Sequence, residues 1–343
     1  MRIASYHSNS DIRIEELPTP QVGPGESLVK IHASGICGSD IMEWYRRDKV
    51  PLVLGHEIAG EIAAVGPGVS NIQVGDRVVA SHHVPCLECR YCHRGHETVC
   101  QTLHTTTFDP GGFSQYVRLP QINTRLGVFP IPDNVTYEEA SFAEPLACVL
   151  RGQNRANVSA GDTVAVIGSG ISGILHIALA RARGAECIIA ADINEARLPW
   201  AKKFGADITT NDSFSIPGLL LDNIGRKADI VILTTGHPKA VQAGFDAADE
   251  GATILLFAPS DPGTTVQINI TDLFFKHDRT ITTTYANSPS DLQQALVLLS
   301  EKKVVVKEMI THRIALDEIQ YGFDLVQHGS ESLKVVVEPN RGP

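Results

Sequence analysis

The sequence lacks the features that would place it in a membrane or on a nucleic acid. No apolar run reaches the roughly 18 residues that a membrane helix needs, and residues 1–17 contain no apolar core of signal-peptide length. Lys and Arg number 29 against 39 Asp and Glu, a formal charge of −10, whereas phosphate binding requires cations. We therefore expect a soluble, cytoplasmic protein that binds a small polar molecule, with no nucleic-acid or membrane partner.

Internal repeats and low-complexity segments are absent as well. Hydrophobic residues make up 43% of the chain and charged residues 20%. Burial of that much apolar surface can offset the entropy lost on ordering, which argues against disorder. A chain of 343 residues is too long for one ordinary core, since single cores stop growing at about 250–300 residues. We predict a globular protein of two domains.

The two parts of the chain differ in their pattern of strands and helices. Up to about residue 150, short β-branched runs alternate with Gly and Pro turns, which indicates a compact β-rich domain. From about residue 160, apolar strands alternate with helices, as is typical of a parallel sheet covered on both faces. The tail from 290 has no core of its own, so we assign it to the first domain. The predicted strands here are 163–167, 186–191, 229–234, 252–258, 280–285, 304–306 and 333–337, and the predicted helices are 171–183, 195–204, 291–300 and one capped near Asp317.

A glycine-rich turn follows strand 163–167. The pattern G-x-G-x-x-G and the start of the next helix comprise Gly168, Gly170, Ile171, Ser172 and Gly173. In a dinucleotide site the first glycine permits a tight turn, the second lets the backbone approach the pyrophosphate, and the third allows close packing of helix on strand. The phosphate charge then meets the helix N-terminus. A plain Gly-rich turn is the alternative.

An acid after the next strand favours the dinucleotide interpretation. Asp192 lies 19 residues beyond Gly173, where a carboxylate can accept hydrogen bonds from ribose hydroxyls. Its charge would repel a 2′-phosphate, which favours NAD(H) over NADP. Arg197 keeps NADP open, because an arginine can neutralise a 2′-phosphate.

Four of the seven cysteines lie in one short segment, at Cys86, Cys89, Cys92 and Cys100. In a cytoplasmic protein such clustering favours a metal over disulfides, and four thiolates are the ligands of a closed tetrahedral zinc site. Because a closed site has no open position for substrate, we predict a structural zinc. A nucleic-acid-binding zinc ribbon is the alternative, but the segment has no basic excess.

A second set of metal-binding side chains comes from distant points of the chain. Cys37, His56 and Glu144 offer sulfur, nitrogen and oxygen donors, and Glu57 follows His56. Such a mixed set suits a catalytic zinc that keeps an exchangeable water. The metal would polarise an alcohol and lower its pKa. Each residue alone is more often an ordinary buried or polar group, so spacing does not establish this site.

The order of several motifs resembles that of the zinc-containing medium-chain alcohol dehydrogenases. The motifs are Gly35-Ile36-Cys37-Gly38-Ser39-Asp40, Gly55-His56-Glu57, Val65-Gly66, Gly75-Asp76-Arg77-Val78, the four-cysteine segment, Glu144-Pro145-Leu146 and the glycine turn. Glu144-Pro145-Leu146 is most similar to the sorbitol (L-iditol) and threonine dehydrogenase branch. The resemblance implies an α/β protein with a β-rich GroES-like catalytic domain, residues 1–150 completed by 290–343. It also implies an NAD-binding Rossmann domain with a doubly wound parallel sheet, residues 151–289.

The same resemblance implies the roles of individual residues. Cys37 and His56 are ligands of the catalytic zinc. Glu57 and Glu144 are the carboxylates at or next to it, and which of them binds directly stays open. Ser39 takes the proton of the substrate. Two zinc ions per chain and a homodimer or homotetramer are implied as well.

The resulting prediction is a zinc-dependent NAD(H) oxidoreductase that oxidises a secondary alcohol, a polyol or cyclitol, to a ketone by direct hydride transfer. L-threonine 3-dehydrogenase and aldose dehydrogenase are the enzymatic alternatives. A zinc-binding regulator that senses NAD is the non-enzymatic one. Many relatives carry a proton-relay His three residues beyond the Ser, where this chain has Met42.

Overall fold

The structure is a computed structural model that describes residues 1–342. The chain divides into two compact units, Met1–Ala147 with the chain from Ala286 onward, and Cys148–Tyr285. The strands are β1 (Arg2–Ser8), β2 (Asp11–Glu16), β3 (Ser27–Gly35), β4 (Leu52–Val53), β5 (Glu57–Val65), β6 (Arg77–Ala80), β7 (Tyr116–Leu119), β8 (Val128–Pro130), β9 (Thr163–Ile167), β10 (Cys187–Ala191), β11 (Ile208–Thr210), β12 (Ala228–Leu233), β13 (Ala248–Leu256), β14 (Thr280–Thr283), β15 (Ile310–Ala315) and β16 (Lys334–Glu338).

The α-helices are shorter on average in the first unit than in the second. They are α1 (Glu43–Arg46), α2 (Arg90–His93), α3 (Gln101–Thr105), α4 (Gln121–Leu126), α5 (Tyr137–Ala140), α6 (Ala143–Arg155), α7 (Ile171–Ala182), α8 (Leu198–Lys203), α9 (Ile216–Ile224), α10 (Pro238–Ala247), α11 (Ile270–Phe274), α12 (Pro289–Ser300) and α13 (Ile319–His328). Short 3₁₀ helices are Arg47–Lys49, Glu97–Val99, Glu195–Arg197, Ser213–Ser215, Lys307–Met309 and Leu316–Glu318. Within residues 1–342, no helix has the length and apolar character required to cross a bilayer.

The first unit is built on one large mixed sheet. Its strand order is β15-β16-β3-β5-β6-β8, with β7 also paired to β3, and a small sheet joins β2, β1 and β4. In β3 the side chains of Val29, Ile31 and Ala33 are fully buried, which is the two-residue alternation expected of a strand with one core face. The C-terminal β16 pairs with β3, so the end of the chain completes the sheet of the N-terminal part.

The second unit contains a six-stranded parallel sheet. Its order is β11-β10-β9-β12-β13-β14, and every neighbouring pair is parallel. All five residues of β9 and all five of β10 are buried, because helices cover both faces of such a sheet. Counted along the chain, the order is third, second, first, fourth, fifth, sixth, which is that of a doubly wound nucleotide-binding fold.

Most strands and helices predicted from the alternating pattern are present, with two instructive differences. Helix α12 begins at Pro289 instead of 291, because Ser288 and Asp291 form a capping box that starts it earlier. The predicted strand 304–306 is wrong. Val304 and Val306 are buried, but they lie in the connection before the 3₁₀ helix Lys307–Met309. Their side chains fill the core while their backbone stays outside the sheet.

Candidate functional site

Four cysteines of one short segment bring their sulfur atoms together. One ligand atom each from Cys86, Cys89, Cys92 and Cys100 lies within 4.8 Å of the other three. The Sγ atoms of Cys89 and Cys92 are 3.6 Å apart, as are those of Cys86 and Cys100. Four sulfurs at about 2.3 Å from a central zinc would be separated by roughly 3.8 Å. The cluster therefore has the size of a tetrahedral zinc site.

Backbone N–H groups surround these sulfur atoms. Glu88 N and Cys89 N donate to Cys86 Sγ over 3.5 and 3.3 Å, and Cys86 N donates to Cys100 Sγ over 3.4 Å. Desolvation opposes ionisation of Cys100, but N–H donors outweigh it and lower its pKa to about 6. Desolvation raises the pKa of Cys92 to about 12. A zinc ion fits this donor set, because its charge would hold all four sulfurs as thiolates.

A second group of ligand atoms forms where β3 ends and β5 begins. One ligand atom each from Cys37, His56 and Glu57 lies within 4.8 Å of the other two. Strands β3 and β5 are antiparallel, with Gly35 opposite Glu57, so Cys37 follows one strand close to where the other starts. One sulfur, one nitrogen and one oxygen donor suit a zinc that keeps a position open for substrate.

Glu144 is not part of this group. It lies in the first turn of α6, and its Oε1 accepts a hydrogen bond of 2.9 Å from Asn287 Nδ2. Of the two carboxylates left open by the sequence, Glu57 is the one that lies with Cys37 and His56 in this structure.

A buried acid supports both Cys37 and His56. Asp40 is fully buried, with Oδ1 3.4 Å from His56 Nδ1 and Oδ2 accepting 2.9 Å from Cys37 N. Burial opposes charge on both side chains, yet the attraction between them lowers the pKa of Asp40 and holds the pKa of His56 well above its usual range. The carboxylate orients the ring, which leaves Nε2 to bind a metal.

A left-handed glycine positions the histidine. Gly55 has φ of +93°, a conformation that other residues rarely adopt. A Cβ at this position would lie 2.7 Å from Phe113 N, and Gly112 N donates to Gly55 O over 2.8 Å. The turn before His56 therefore packs directly on the backbone of 112–113.

Ser39 lies in the turn that follows Cys37. Its backbone N donates to Cys37 Sγ over 3.4 Å, and its carbonyl accepts from Arg46 Nη2 over 3.4 Å. Arg46 Nη2 is also 3.9 Å from Asp40 Oδ1. Met42, at the position of the relay histidine, is the residue before α1. The turn is thus fixed from both ends, by the sulfur and by the guanidinium.

The glycine turn of the second unit joins β9 to α7. Gly168 has φ of +100°, and a Cβ at Gly173 would lie 1.9 Å from Gly168 O. These two positions therefore require glycine for the turn and for close packing. A Cβ at Gly170 would meet nothing nearer than Arg197 Nη1, at 3.8 Å. The middle glycine, followed by Ile171 and Ser172 at the start of α7, leaves the backbone accessible to a ligand.

Asp192 closes this turn from the end of β10. Its Oδ2 accepts a hydrogen bond of 2.7 Å from Ser169 N, and its Oδ1 accepts one of 2.8 Å from Asn194 N. Arg197 Nη1 is 3.4 Å from Oδ2. The structure thus brings the predicted acid, the predicted arginine and the glycine turn together.

Comparison with known proteins identifies the family. Residues 23–133 match the model of the alcohol dehydrogenase GroES-like domain, and residues 172–301 match that of the zinc-binding dehydrogenases. The chain belongs to the zinc-binding alcohol dehydrogenase family. The predicted GroES-like and Rossmann architecture is confirmed.

Relatives of this dehydrogenase span nearly its whole length. It is 33% identical to sorbitol dehydrogenase of Bacillus subtilis, over 99% of this chain and 98% of the relative. It is 34% identical to L-threonine 3-dehydrogenase of the same organism, over 95% of this chain and 94% of the relative. A zinc-binding dehydrogenase from Sinorhizobium meliloti bound to NADP is 28% identical, with TM-score 0.85 over 98% and 99%. An alcohol dehydrogenase from E. coli complexed with NADH is 28% identical, with TM-score 0.88 over 98% and 99%.

Sequence reasoning missed two charged neighbours of the metal-ligand group in this zinc-binding dehydrogenase. Arg46 pairs with Asp40, and Lys334 forms an ion pair with Glu57 Oε2 while both side chains are 1% exposed. The signal for Lys334 was available, because it is the one charged residue in the predicted strand 333–337. A lysine in a buried strand needs a partner, but the sequence does not say which.

Proposed function

We propose that this dehydrogenase oxidises a secondary alcohol of a polyol or cyclitol to the ketone, with one catalytic zinc and NAD⁺ as hydride acceptor. The observation that carries the proposal is the convergence of Cys37, His56 and Glu57, whose ligand atoms lie within 4.8 Å of one another. Three mixed ligands leave room for a substrate oxygen. Sorbitol dehydrogenase, at 33% identity, supports the polyol class.

The residues of the first unit have separate tasks in this proposal. Zinc, when bound, supplies a Lewis acid that lowers the pKa of the alcohol. Cys37, His56 and Glu57 hold the ion, and Asp40 keeps the imidazole of His56 oriented. Ser39 accepts the hydroxyl proton of the substrate, since a hydroxyl can accept one proton and donate another. Many relatives carry a relay histidine at the position of Met42, whose thioether cannot take up a proton. The next proton acceptor is therefore a water molecule.

The residues of the second unit favour NAD⁺. The bound dinucleotide supplies the carbon that accepts hydride. Gly168, Gly170 and Gly173 shape the turn for its pyrophosphate, at the start of α7 with Ile171 and Ser172. Asp192 accepts from the ribose hydroxyls and repels a 2′-phosphate. Arg197 lies 3.4 Å from Asp192 and weakens this repulsion, so we expect a preference and not strict exclusion of NADP⁺.

We further propose a structural zinc at the four-cysteine cluster, which makes two zinc ions per chain. All seven cysteines are free thiols, and thiolates persist in a reducing compartment, so we place the enzyme in the cytoplasm. We also propose that it assembles as a homodimer or homotetramer. Strand β14 is the edge of its sheet, and Ile270, Phe274 and Phe275, which precede it in the chain, are 71%, 64% and 58% exposed. A second copy that pairs with this edge would bury them.

A substrate panel tests the activity. We would measure turnover of polyols, cyclitols, L-threonine and aldoses with NAD⁺ and with NADP⁺, together with zinc content per chain. Polyol or cyclitol oxidation with two zinc ions supports the proposal. Activity confined to L-threonine or to aldoses would replace the proposed substrate class. One zinc per chain and no turnover would favour the NAD-sensing regulator.

A further inference from the structure

Lys334 is a buried cation that belongs to no predicted site. It lies in β16, and its side chain is 1% exposed. Its Nζ forms an ion pair with Glu57 Oε2 and donates to Ile36 O over 3.0 Å. A buried ammonium is costly unless it is paired and hydrogen-bonded. Both partners belong to the proposed catalytic zinc site, because Glu57 is one of its ligands and Ile36 directly precedes another, Cys37.

Three neighbouring strands build this ion pair around a glycine. Strand β3 lies between β16 and β5, with Gly35 opposite Val336 on one side and Glu57 on the other. A Cβ at Gly35 would lie 1.9 Å from Glu57 Oε2 and 2.7 Å from Lys334 Cε. Only a glycine in the central strand lets the two side chains meet above it.

The two oxygens of Glu57 have different surroundings. Oε2 is paired with Lys334, whereas Oε1 is buried and has no hydrogen-bond partner among residues 1–342. A buried acceptor without a partner is unfavourable. Because a carboxylate oxygen of Glu57 lies within 4.8 Å of the ligand atoms of Cys37 and His56, a cation held by those residues would satisfy Oε1.

We infer that Lys334 is a positioning residue that shares Glu57 with the catalytic zinc. It is paired with Oε2, which leaves Oε1 for the ion held by Cys37 and His56. Its positive charge also weakens the attraction between Glu57 and the ion, so the carboxylate can give way to the substrate oxygen. This inference rests on the catalytic zinc proposed above.

The direction in which the rate of zinc release changes in Lys334→Met separates this role from a purely structural one. In Lys334→Met the buried carboxylate loses its ammonium partner, and zinc becomes its only cation. We therefore expect the catalytic zinc to leave about tenfold more slowly in excess chelator, and kcat to fall with little change in KM. A lysine that merely stabilises the sheet would have the opposite effect on zinc, because a loosened site releases its ion faster. Lys334→Arg keeps the charge and should restore wild-type release.

The experiment follows zinc release from the loaded enzyme with a chromogenic chelator. Cys37→Ala keeps only the zinc of the cysteine cluster. Its release curve therefore shows which kinetic phase of the wild-type curve belongs to which ion. Lys302→Met is the matched control, since Lys302 Nζ pairs with Glu139 Oε1 at 3.5 Å in the same unit; its release rates should equal those of the wild type. If Lys334→Met does not fold, Lys334→Met with Glu57→Gln removes both charges, and its release should be no slower than that of Glu57→Gln alone.

The outcomes distinguish this inference from the proposed function. A wild-type enzyme with a single zinc that survives Cys37→Ala would refute the catalytic zinc itself. Two zinc ions, with release from Lys334→Met as fast as or faster than from the wild type, would refute only the role of Lys334. In the double variant, release slower than from Glu57→Gln would also refute it, because Lys334 would then act independently of the carboxylate.

Discussion

Asp192→Asn tests the cofactor assignment most directly, because it removes one charge and keeps the shape of the side chain. In the structure this carboxylate accepts 2.7 Å from Ser169 N and 2.8 Å from Asn194 N, with Arg197 Nη1 3.4 Å away. It is 8% exposed, so its charge acts in a partly desolvated environment. The substitution should weaken the turn equally for either dinucleotide, and this common effect cancels in a ratio of the two.

Two effects do not cancel in the ratio of NAD⁺ to NADP⁺ activity. A hydrogen bond from the ribose 2′-hydroxyl, which NADP⁺ lacks, contributes about 1.5 kcal/mol more to a charged acceptor than to a neutral one, so NAD⁺ should lose about tenfold. A carboxylate about 5 Å from a 2′-phosphate repels it by roughly 3 kcal/mol per unit charge at an effective dielectric of 20. Arg197 offsets part of this repulsion, and a net relief of about 1.5 kcal/mol corresponds to a tenfold gain for NADP⁺.

The assay is kcat/KM with each cofactor at saturating alcohol. We expect the ratio of NAD⁺ to NADP⁺ to fall about 100-fold in Asp192→Asn and to rise in Arg197→Gln, because the two charges act in opposite directions. Asp207→Asn is the matched control, since Asp207 also accepts a backbone N–H, from Ile188, and pairs with an arginine; its ratio should stay that of the wild type. An unchanged ratio in Asp192→Asn would show that the discriminating acid lies elsewhere.

Four further substitutions test the two metal sites and the ion pair between Glu57 and Lys334. Cys37→Ala or His56→Ala should remove one zinc and lower kcat by at least about 1,000-fold with an unchanged circular dichroism spectrum; full activity would contradict this site. Cys89→Ala should remove the other zinc and lower the melting temperature, because a structural zinc contributes to folding free energy; an unchanged melting temperature would argue against a metal there. Gly35→Ala should force Glu57 and Lys334 apart and destabilise the fold by about 3–5 kcal/mol, measured by urea unfolding; a wild-type midpoint would show that the ion pair can move without loss.

The parts of the fold that depend on neighbouring residues were predictable from the sequence. Strand 163–167 and the start of α7 at Ile171 were predicted where they occur, because an apolar run, a left-handed glycine and a helix start follow one another within a few residues. The end of α12 was also predicted where it occurs, at Ser300. The backbone of 304–306 was not predictable, since an apolar run indicates burial and does not show whether its N–H groups pair with another strand.

The two proposed metal sites differ in how far the sequence alone could predict them. The cysteine cluster comes from one segment whose own N–H groups bind its sulfurs, so spacing alone was enough to predict it. The group of Cys37, His56 and Glu57 depends on the register of β3 with β5, and its balancing charge comes from Lys334, 277 residues beyond Glu57. A site of the first kind should keep its geometry when the large sheet is disturbed, because its ligands need only their own loop. A site of the second kind cannot, since moving any of three strands changes both its ligands and its local charge.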